Sequence, residues 1–399
     1  MTMQYDVIVV GGGPVGSTAA RYAAQEGAKV LLVEEHAFIG SPVGCTGLLS
    51  KRAVKECDLE PSEDFVLNSV RGAFIHPPSE LPLPIDGGKT KAYVVSRKMF
   101  DRTILSMATD AEVDVMLRTR AIGIERSNKL QTLKVLENGN LRSIQSKVII
   151  AADGVRSNMA KMAGLGRVKR ILPGIQIEAP YRCEDPDFVE LFVGSRVPGF
   201  FAWTVPVNEH ISRIGLATDN INGPKPHECL QWLLQHHPHI NSRYAGGQAD
   251  MTFGGIPIGP LRKTYADGIM IVGDAAGQTK PTSGGGIYTG AVCAKIAAKI
   301  AVSLDDDASE ASLQQYEKQW KAAIGKELSM GMRIHDFIKG LSDNELDEML
   351  GAMNTPSILD TITEYGDMDH PSVLIRKLLD PRKSKHMLKV FSAFAKAVL

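Results

Sequence analysis

"YDVIVVGGGPVGSTAARYAAQEGAKVLLVEE", Tyr5 to Glu35, decides the fold. Val7 to Val10 is a short apolar run bounded by glycines, the pattern of a buried parallel strand. Gly11, Gly13 and Gly16 then fit GxGxxG, Ser17 to Gly27 has helical composition, and Lys29 to Val33 is a second apolar run ending at Glu34. Strand, turn, helix and strand at this spacing predict a βαβ unit that binds a dinucleotide. Gly11 permits the sharp turn, Gly13 lets pyrophosphate approach the backbone, and Gly16 lets the helix pack on the strand. Phosphate charge then meets the helix N-terminus. Glu34, roughly 20 residues on, can accept hydrogen bonds from ribose hydroxyls and would repel a 2′-phosphate.

Two distant segments repeat the strand-to-helix turn with Asp beside Gly. "SKVIIAADGVRSNMA" carries an apolar strand, Val148 to Ala152, before Asp153 and Gly154, with Ser157 available to open a helix. "YADGIMIVGDAAGQTKPTSGGGIYTGAVCAKIAAKIA" gives a strand at Ile269 to Val272, then Gly273, Asp274, a loop of Pro281 and glycines, and a long Ala-rich helix. The glycines at 254–255 and 284–286 do not follow a strand as GxGxxG, so no dedicated second nucleotide domain is expected.

The 399 residues are 44% hydrophobic and 23% charged, enough to bury one large core or two coupled ones. Lys plus Arg equals Asp plus Glu, 45 each, so no global basic field points to nucleic acid. The five cysteines (Cys45, Cys57, Cys183, Cys229, Cys293) are scattered and never in CxxC spacing. That argues against a zinc site or other metal centre and against a secreted disulfide framework, and a reducing cytoplasm is the expected compartment. "MTMQYDVIVVGGG" lacks the pattern of a signal peptide, and no run approaches the roughly 18 apolar residues of a membrane span.

The expected fold class is α/β (α+β) with three parts. Residues 1–70, 95–163 and 265–305 form a discontinuous Rossmann-type domain. Residues 71–94 and 164–264 hold short alternating runs such as "FFAWTVPV" and "HISRIGLAT", which read as an antiparallel-sheet domain able to cover a substrate. Residues 306–399 read as a helical C-terminal region. Its last stretch carries Arg376, Lys377, Arg382, Lys383, Lys385, Lys389 and Lys396 against the single acid Asp380. In helical spacing Met387, Phe391, Phe394 and Val398 share a face, either docked on the body or lying on anionic lipid headgroups as a peripheral membrane contact.

With its three motifs in this order, the chain resembles the FAD-dependent family built like p-hydroxybenzoate hydroxylase. The resemblance implies that Gly11, Gly13, Val15 and Gly16 cradle FAD phosphates and that Asp153 belongs to the second motif. It also implies that Asp274 holds the ribityl chain and pyrophosphate, with Gly286 and Ile287 offering backbone amides to the isoalloxazine. "SRKMFD" resembles the family's RxxFD, so Arg97 would reach the cofactor near its phosphate and ribityl region, and Ala121 would lie beside the adenine. Alone, Arg97 and Asp101 would read as an i, i+4 surface pair on a helix.

"PVGCTGLL", Pro42 to Leu49, and "FAWTVPVNEHISRIG", Phe201 to Gly215, resemble the PxxCxGxx and YxWxFP signatures of geranylgeranyl reductases. Phe201 replaces the tyrosine and Val205 the second aromatic, while Trp203, Pro206 and the downstream Gly215 remain. The resemblance covers roughly the first 300 residues and implies hydrogenation of C=C bonds in the geranylgeranyl chains of archaeal-type membrane lipids. Cys45, Thr46, Gly47 and Leu48 would contact the flavin, with Phe201, Trp203, Pro206 and Gly215 at the prenyl chain. An alkene has no carbonyl to polarise, so hydride delivery must be coupled to protonation, in an apolar slot with a proton source. An ordinary thiol is mostly protonated at neutral pH and can donate. Cys45 reads as a flavin or substrate contact, as that proton donor, or as a small residue filling a turn.

Two other functions share the fold: an aromatic hydroxylase using reduced FAD to activate oxygen, and a non-enzymatic carrier of prenyl groups. Electrons would come from a transient donor such as NADPH or ferredoxin.

Overall fold

The computed structural model describes residues 4–79, 81–127, 129–220, 223–304 and 307–378. The apolar run at Gln4–Val10 pairs in parallel with Val30–Val33 on one side and with Asn140–Ala151 on the other. Along the sheet the order is Tyr265–Ala266, Ile269–Ile271, Asn140–Ala151, Gln4–Val10, Val30–Val33, Asp114–Met116. The antiparallel strands Thr119–Ser127 and Leu130–Glu137 extend Asn140–Ala151 and complete eight strands. Both faces are covered, which is why the central runs are apolar without alternation: Val7 and Val9 enter one core, Ile8 and Val10 the other. Helices Pro14–Gln25 and Ile287–Ser303 meet on the first face through Ala19, Ala20, Ala23, Ala294, Ala297 and Ala298, whose small side chains allow close approach.

A second sheet of seven strands runs Asp250–Ile258, Arg170–Pro180, Ile211–Ala217, Ala202–Pro206, Phe188–Phe192, Gly72–His76, Leu83–Asp86. The sequence predicts an antiparallel sheet, but Phe188–Phe192 and Gly72–His76 pair in parallel. The latter strand arrives from the distant N-terminal part of the chain, so no hairpin dictates its direction. Helix Pro226–His236 seals one face by setting Leu230 and Leu233 on Ile175, Ile177 and Ile214.

A third sheet was not anticipated. Leu48–Ser50, Ala92–Val95 and Val66–Val70 form an antiparallel trio between the other two. Segment 71–94, expected wholly in the second sheet, therefore divides: Gly72–His76 and Leu83–Asp86 join it, while Ala92–Val95 does not.

The C-terminal part is helical among the described residues, from Glu310–Trp320 to Pro371–Leu378. Its first helix is built into the nucleotide-side core: the Tyr316 hydroxyl donates to the Ile271 carbonyl at 2.8 Å and the Trp320 indole to Thr264 Oγ1 at 2.9 Å. No helix among the described residues is long and apolar enough to cross a membrane. The basic stretch from Arg382 to Val398 lies outside the described residues.

Candidate active site

The first turn is fixed by sterics. Gly11 sits at φ +107°, and a Cβ there would lie 2.3 Å from the Ala152 carbonyl oxygen; at Gly16 it would lie 1.9 Å from the Gly11 oxygen. A Cβ at Gly13 would meet nothing within 4 Å, so open space faces the N-cap of helix Pro14–Gln25, which has no side-chain cap. Those uncapped amides form a cradle that suits pyrophosphate. Val15 wedges against the third motif, its methyls 3.1 Å and 2.5 Å from where Cβ atoms of Gly273 and Gly290 would be.

Glu34 is oriented by the same turn, accepting the Gly12 N–H at 2.7 Å and the His36 N–H at 2.8 Å. The Thr119 N–H donates to the Glu34 carbonyl at 2.8 Å, which brings the strand holding Ala121 beside it. Asp153 is engaged as a cap: it accepts from Ser157 Oγ at 2.6 Å and from the amides of Asn158 and Met159 at 2.8 Å and 3.0 Å. At Gly154 a Cβ would meet nothing within 4 Å, so the turn is open there.

Asp274 accepts a hydrogen bond from Thr279 at 2.7 Å. Burial pushes its carboxyl up, against the pull of Thr279 and of Arg97 nearby. A Cβ at Gly286 would lie 2.5 Å from Asp274 Oδ1, so glycine there lets the carboxylate approach the uncapped N-terminus of Ile287–Ser303. The Gly13 and Gly286 cradles, the Glu34 carboxylate and Asp274 fit the phosphates, ribose and ribityl chain of FAD.

Arg97 opens helix Arg97–Asp110 and grips Asp101 with a fork of two bonds, at 2.8 Å and 2.9 Å. Burial works against its charge, but Asp101, with Cys45 nearby, more than offsets it and keeps the guanidinium charged. The i, i+4 pair is real, then, but it is buried and serves the cysteine loop.

That loop is held from far away. Cys45 Sγ accepts the Gly47 N–H at 3.3 Å. Gly47 is at φ +77°, and a Cβ on it would come within 2.6 Å of both Arg213 Nη1 and the Val95 oxygen. Arg213, missed as a site residue by sequence reasoning, donates to the Thr46 carbonyl at 2.6 Å, to the Val95 carbonyl at 3.0 Å and to Glu178 at 2.9 Å. It thereby ties Thr46 and Leu48, where the third sheet begins, to the second sheet. Its signal was visible: Arg213 is the one charged residue in the strand Ile211–Ala217.

Cys45 lines a cavity of about 390 Å³ with Arg97, Lys98, Gln176, Glu178, Arg213 and Asp250. This corrects the expected apolar slot at the cysteine. Phe201, Trp203, Pro206 and Gly215 do not line this cavity. Trp203 connects to it through Gln176, whose amide oxygen accepts the indole N–H at 3.0 Å. Phe201 meets Trp203 edge to face at 6.0 Å, in an apolar patch with Ile256 and Met332. Gly215 makes room for the indole, because a Cβ there would lie 2.8 Å from its ring. Pro206 is buried at the end of its strand, and its carbonyl accepts from Asn68 at 3.0 Å. Burial pushes the thiols of Cys57 and Cys183 up to about 12 and about 11, and that of Cys293 well up.

A Rossmann-type sheet with two uncapped glycine cradles, covered by a second sheet, defines an FAD-dependent oxidoreductase, and residues 6–168 match the family model described as FAD dependent oxidoreductase. The chain is 36% identical to the digeranylgeranylglycerophospholipid reductase of Methanocaldococcus jannaschii over 88% of its own length and 90% of that protein. To the enzyme of the same name from Methanothrix thermoacetophila it is 33% identical, covering 89% and 93%. The chain belongs to the digeranylgeranylglycerophospholipid reductase family. Among solved structures, a geranylgeranyl bacteriochlorophyll reductase-like protein from Thermoplasma acidophilum is similar with a TM-score of 0.86 at 29% identity, covering 98% of this chain and 99% of that one. A p-nitrophenol 4-monooxygenase from Pseudomonas putida shares the fold alone, at 16% identity and a TM-score of 0.74 over 91% and 98%.

Proposed function

We propose that the protein is an FAD-dependent reductase that hydrogenates C=C bonds in the geranylgeranyl chains of prenyl membrane lipids. The observation that carries this reading is the convergence of Cys45, Arg97 and the Arg213-anchored loop on one cavity that also meets, through Gln176, the Phe201 and Trp203 patch. Bound FAD, once reduced by a transient donor, supplies an electron pair and one hydrogen to the alkene.

The other hydrogen arrives as a proton, and this chain's residues are arranged to give it. The Cys45 thiol has the Gly47 amide at 3.3 Å and shares its cavity with Arg97, so the thiolate left after proton release meets a donor and a cation. Asp101 and burial fix the guanidinium, which keeps that compensation in place through turnover. The charged side of the cavity, at Lys98, Arg213 and Asp250, suits the lipid's headgroup end, the alkene meets Cys45, and the rest of the chain runs towards the aromatic patch beyond Gln176.

The test is anaerobic incubation of the dithionite-reduced holoenzyme with a geranylgeranylated glycerophospholipid, followed by mass spectrometry. The reading expects a gain of two mass units for each bond saturated. Unchanged lipid, with the flavin still reduced, overturns it.

A further inference from the structure

The loop that follows Asp274 is braced from behind by a part of the chain that no motif marks. Lys280 closes it with two backbone bonds, its N–H donating to the Gly285 carbonyl at 3.1 Å and its own carbonyl accepting the Gly284 N–H at 2.9 Å. The side chain then runs beneath the glycines: a Cβ on Gly285 would lie 3.0 Å from Lys280 Cε and 3.3 Å from Nζ. Nζ donates to Asp369 Oδ1 at 2.5 Å and to the Met368 carbonyl at 3.3 Å. Both partners are buried, Lys280 at 8% exposure and Asp369 at 2%.

Asp369 is itself held in a tight turn. Asp367 accepts the amides of Asp369 and His370 at 2.8 Å and 3.2 Å, and it accepts from Arg52 at 2.8 Å. Arg52 also lies 3.9 Å from the second oxygen of Asp369. On the far side, His370 Nε2 is 3.1 Å from the hydroxyl of Tyr288, the second residue of helix Ile287–Ser303. Ser372 anchors the turn to Glu327 of helix Lys326–Lys339, and Gly331 on that helix leaves room for Pro281, 2.9 Å from where its Cβ would be. The turn thus clasps both ends of the glycine loop.

We infer that Lys280 and Asp369 are positioning residues that set the placement and the reduction potential of the flavin held at Gly286 and Ile287. This rests on the proposed flavin-binding role of that loop. A buried ammonium next to the loop backbone favours the extra negative charge of a reduced flavin, and the paired carboxylate cancels most of that effect. Removing one partner leaves the other buried without its ion-pair partner. In Lys280→Met, Arg52 remains 3.9 Å from the lone carboxylate.

Opposite signs are therefore expected for the two single substitutions. In the holoenzyme, Asp369→Asn should raise the midpoint potential and Lys280→Met should lower it. Each should tilt the reduction equilibrium about tenfold, about 30 mV for a two-electron couple. The double variant, with no lone buried charge, should return towards the wild-type potential, and Asp369→Glu should restore it in part. A purely structural clasp would lower the melting temperature in both single variants and move the two potentials together or not at all, which overturns the inference. Gly286→Val separates the two levels. If it expels the flavin while the potentials of the charge variants stay put, the clasp inference alone falls; if it retains flavin in full, the reading of the loop falls with it.

Discussion

The turn at Gly11 to Gly16 and the loop at Ser41 to Leu48 both carry glycines, and they differ in what holds them. The turn is enforced by hard contact with backbone atoms of its own unit and of Ala152. The loop meets hard contact at Gly47 alone and is otherwise held by hydrogen bonds, from Arg213, 167 residues from Thr46, to the Thr46 and Val95 carbonyls and from the Val95 N–H to the Gly47 carbonyl. A sterically enforced element fails completely when its shape is violated. A tethered element loses alignment by degrees, and alignment is what catalysis depends on.

The largest effect should come from the turn. Gly11→Ala places a methyl 2.3 Å from the Ala152 oxygen at a backbone angle that side chains rarely adopt. Purified protein should lack flavin absorbance or fail to accumulate; a yellow, stoichiometric holoenzyme would show that the turn is not sterically locked.

Arg213→Met should separate binding from turnover. It leaves the Thr46 and Val95 carbonyls without this donor, at a cost of about 1–3 kcal/mol for each carbonyl that stays buried. FAD content should remain near that of the wild type, because the turn is untouched. Turnover should fall about ten- to a hundredfold as the Cys45 loop loses its alignment. Equal losses of flavin and turnover would mean that the two elements are not independently held.

The smallest effect concerns the far face of the second sheet and reads out as pH dependence. Burial pushes the Glu190 carboxyl up, but His76 at 3.4 Å, Arg243 at 2.8 Å and the Thr204 hydroxyl at 2.7 Å outweigh it and hold the group at about 2. The folded value lies below the ordinary 4.5, so this contribution to stability is present above pH 4.5 and is lost as the pH falls towards 2. Melting temperatures measured across that interval should fall more steeply for the wild type than for Glu190→Gln. Parallel curves would remove Glu190 from the account of acid stability.

The same contrast explains what could be read in advance. The nucleotide-binding unit was legible because strand, glycines, helix and acid lie within one short stretch, and steric rules tie each residue type to its place. Asp274 and its glycine loop were legible for the same local reason. Arg213, Lys280 and Asp369 act on partners far along the chain, and nothing in periodicity identifies the carbonyl or carboxylate that a buried cation will meet. The polar character of the cavity could have been drawn from "ILPGIQIEAP", where Gln176 and Glu178 alternate with isoleucines and so share one face of the strand. The third sheet was harder, since Leu48–Ser50 and Ala92–Val95 are too short to declare their partners.

Single-turnover oxidation of the reduced flavin by lipid tests most directly the proposal that Cys45 is the proton donor of a tethered loop. Wild-type and Cys45→Ser holoenzymes, reduced under anaerobic conditions, are mixed with geranylgeranylated lipid and followed by flavin absorbance. The account predicts equal flavin content and reoxidation about a hundredfold slower in the variant, within the usual range for a lost general acid. Reoxidation at the wild-type rate in Cys45→Ser would contradict it.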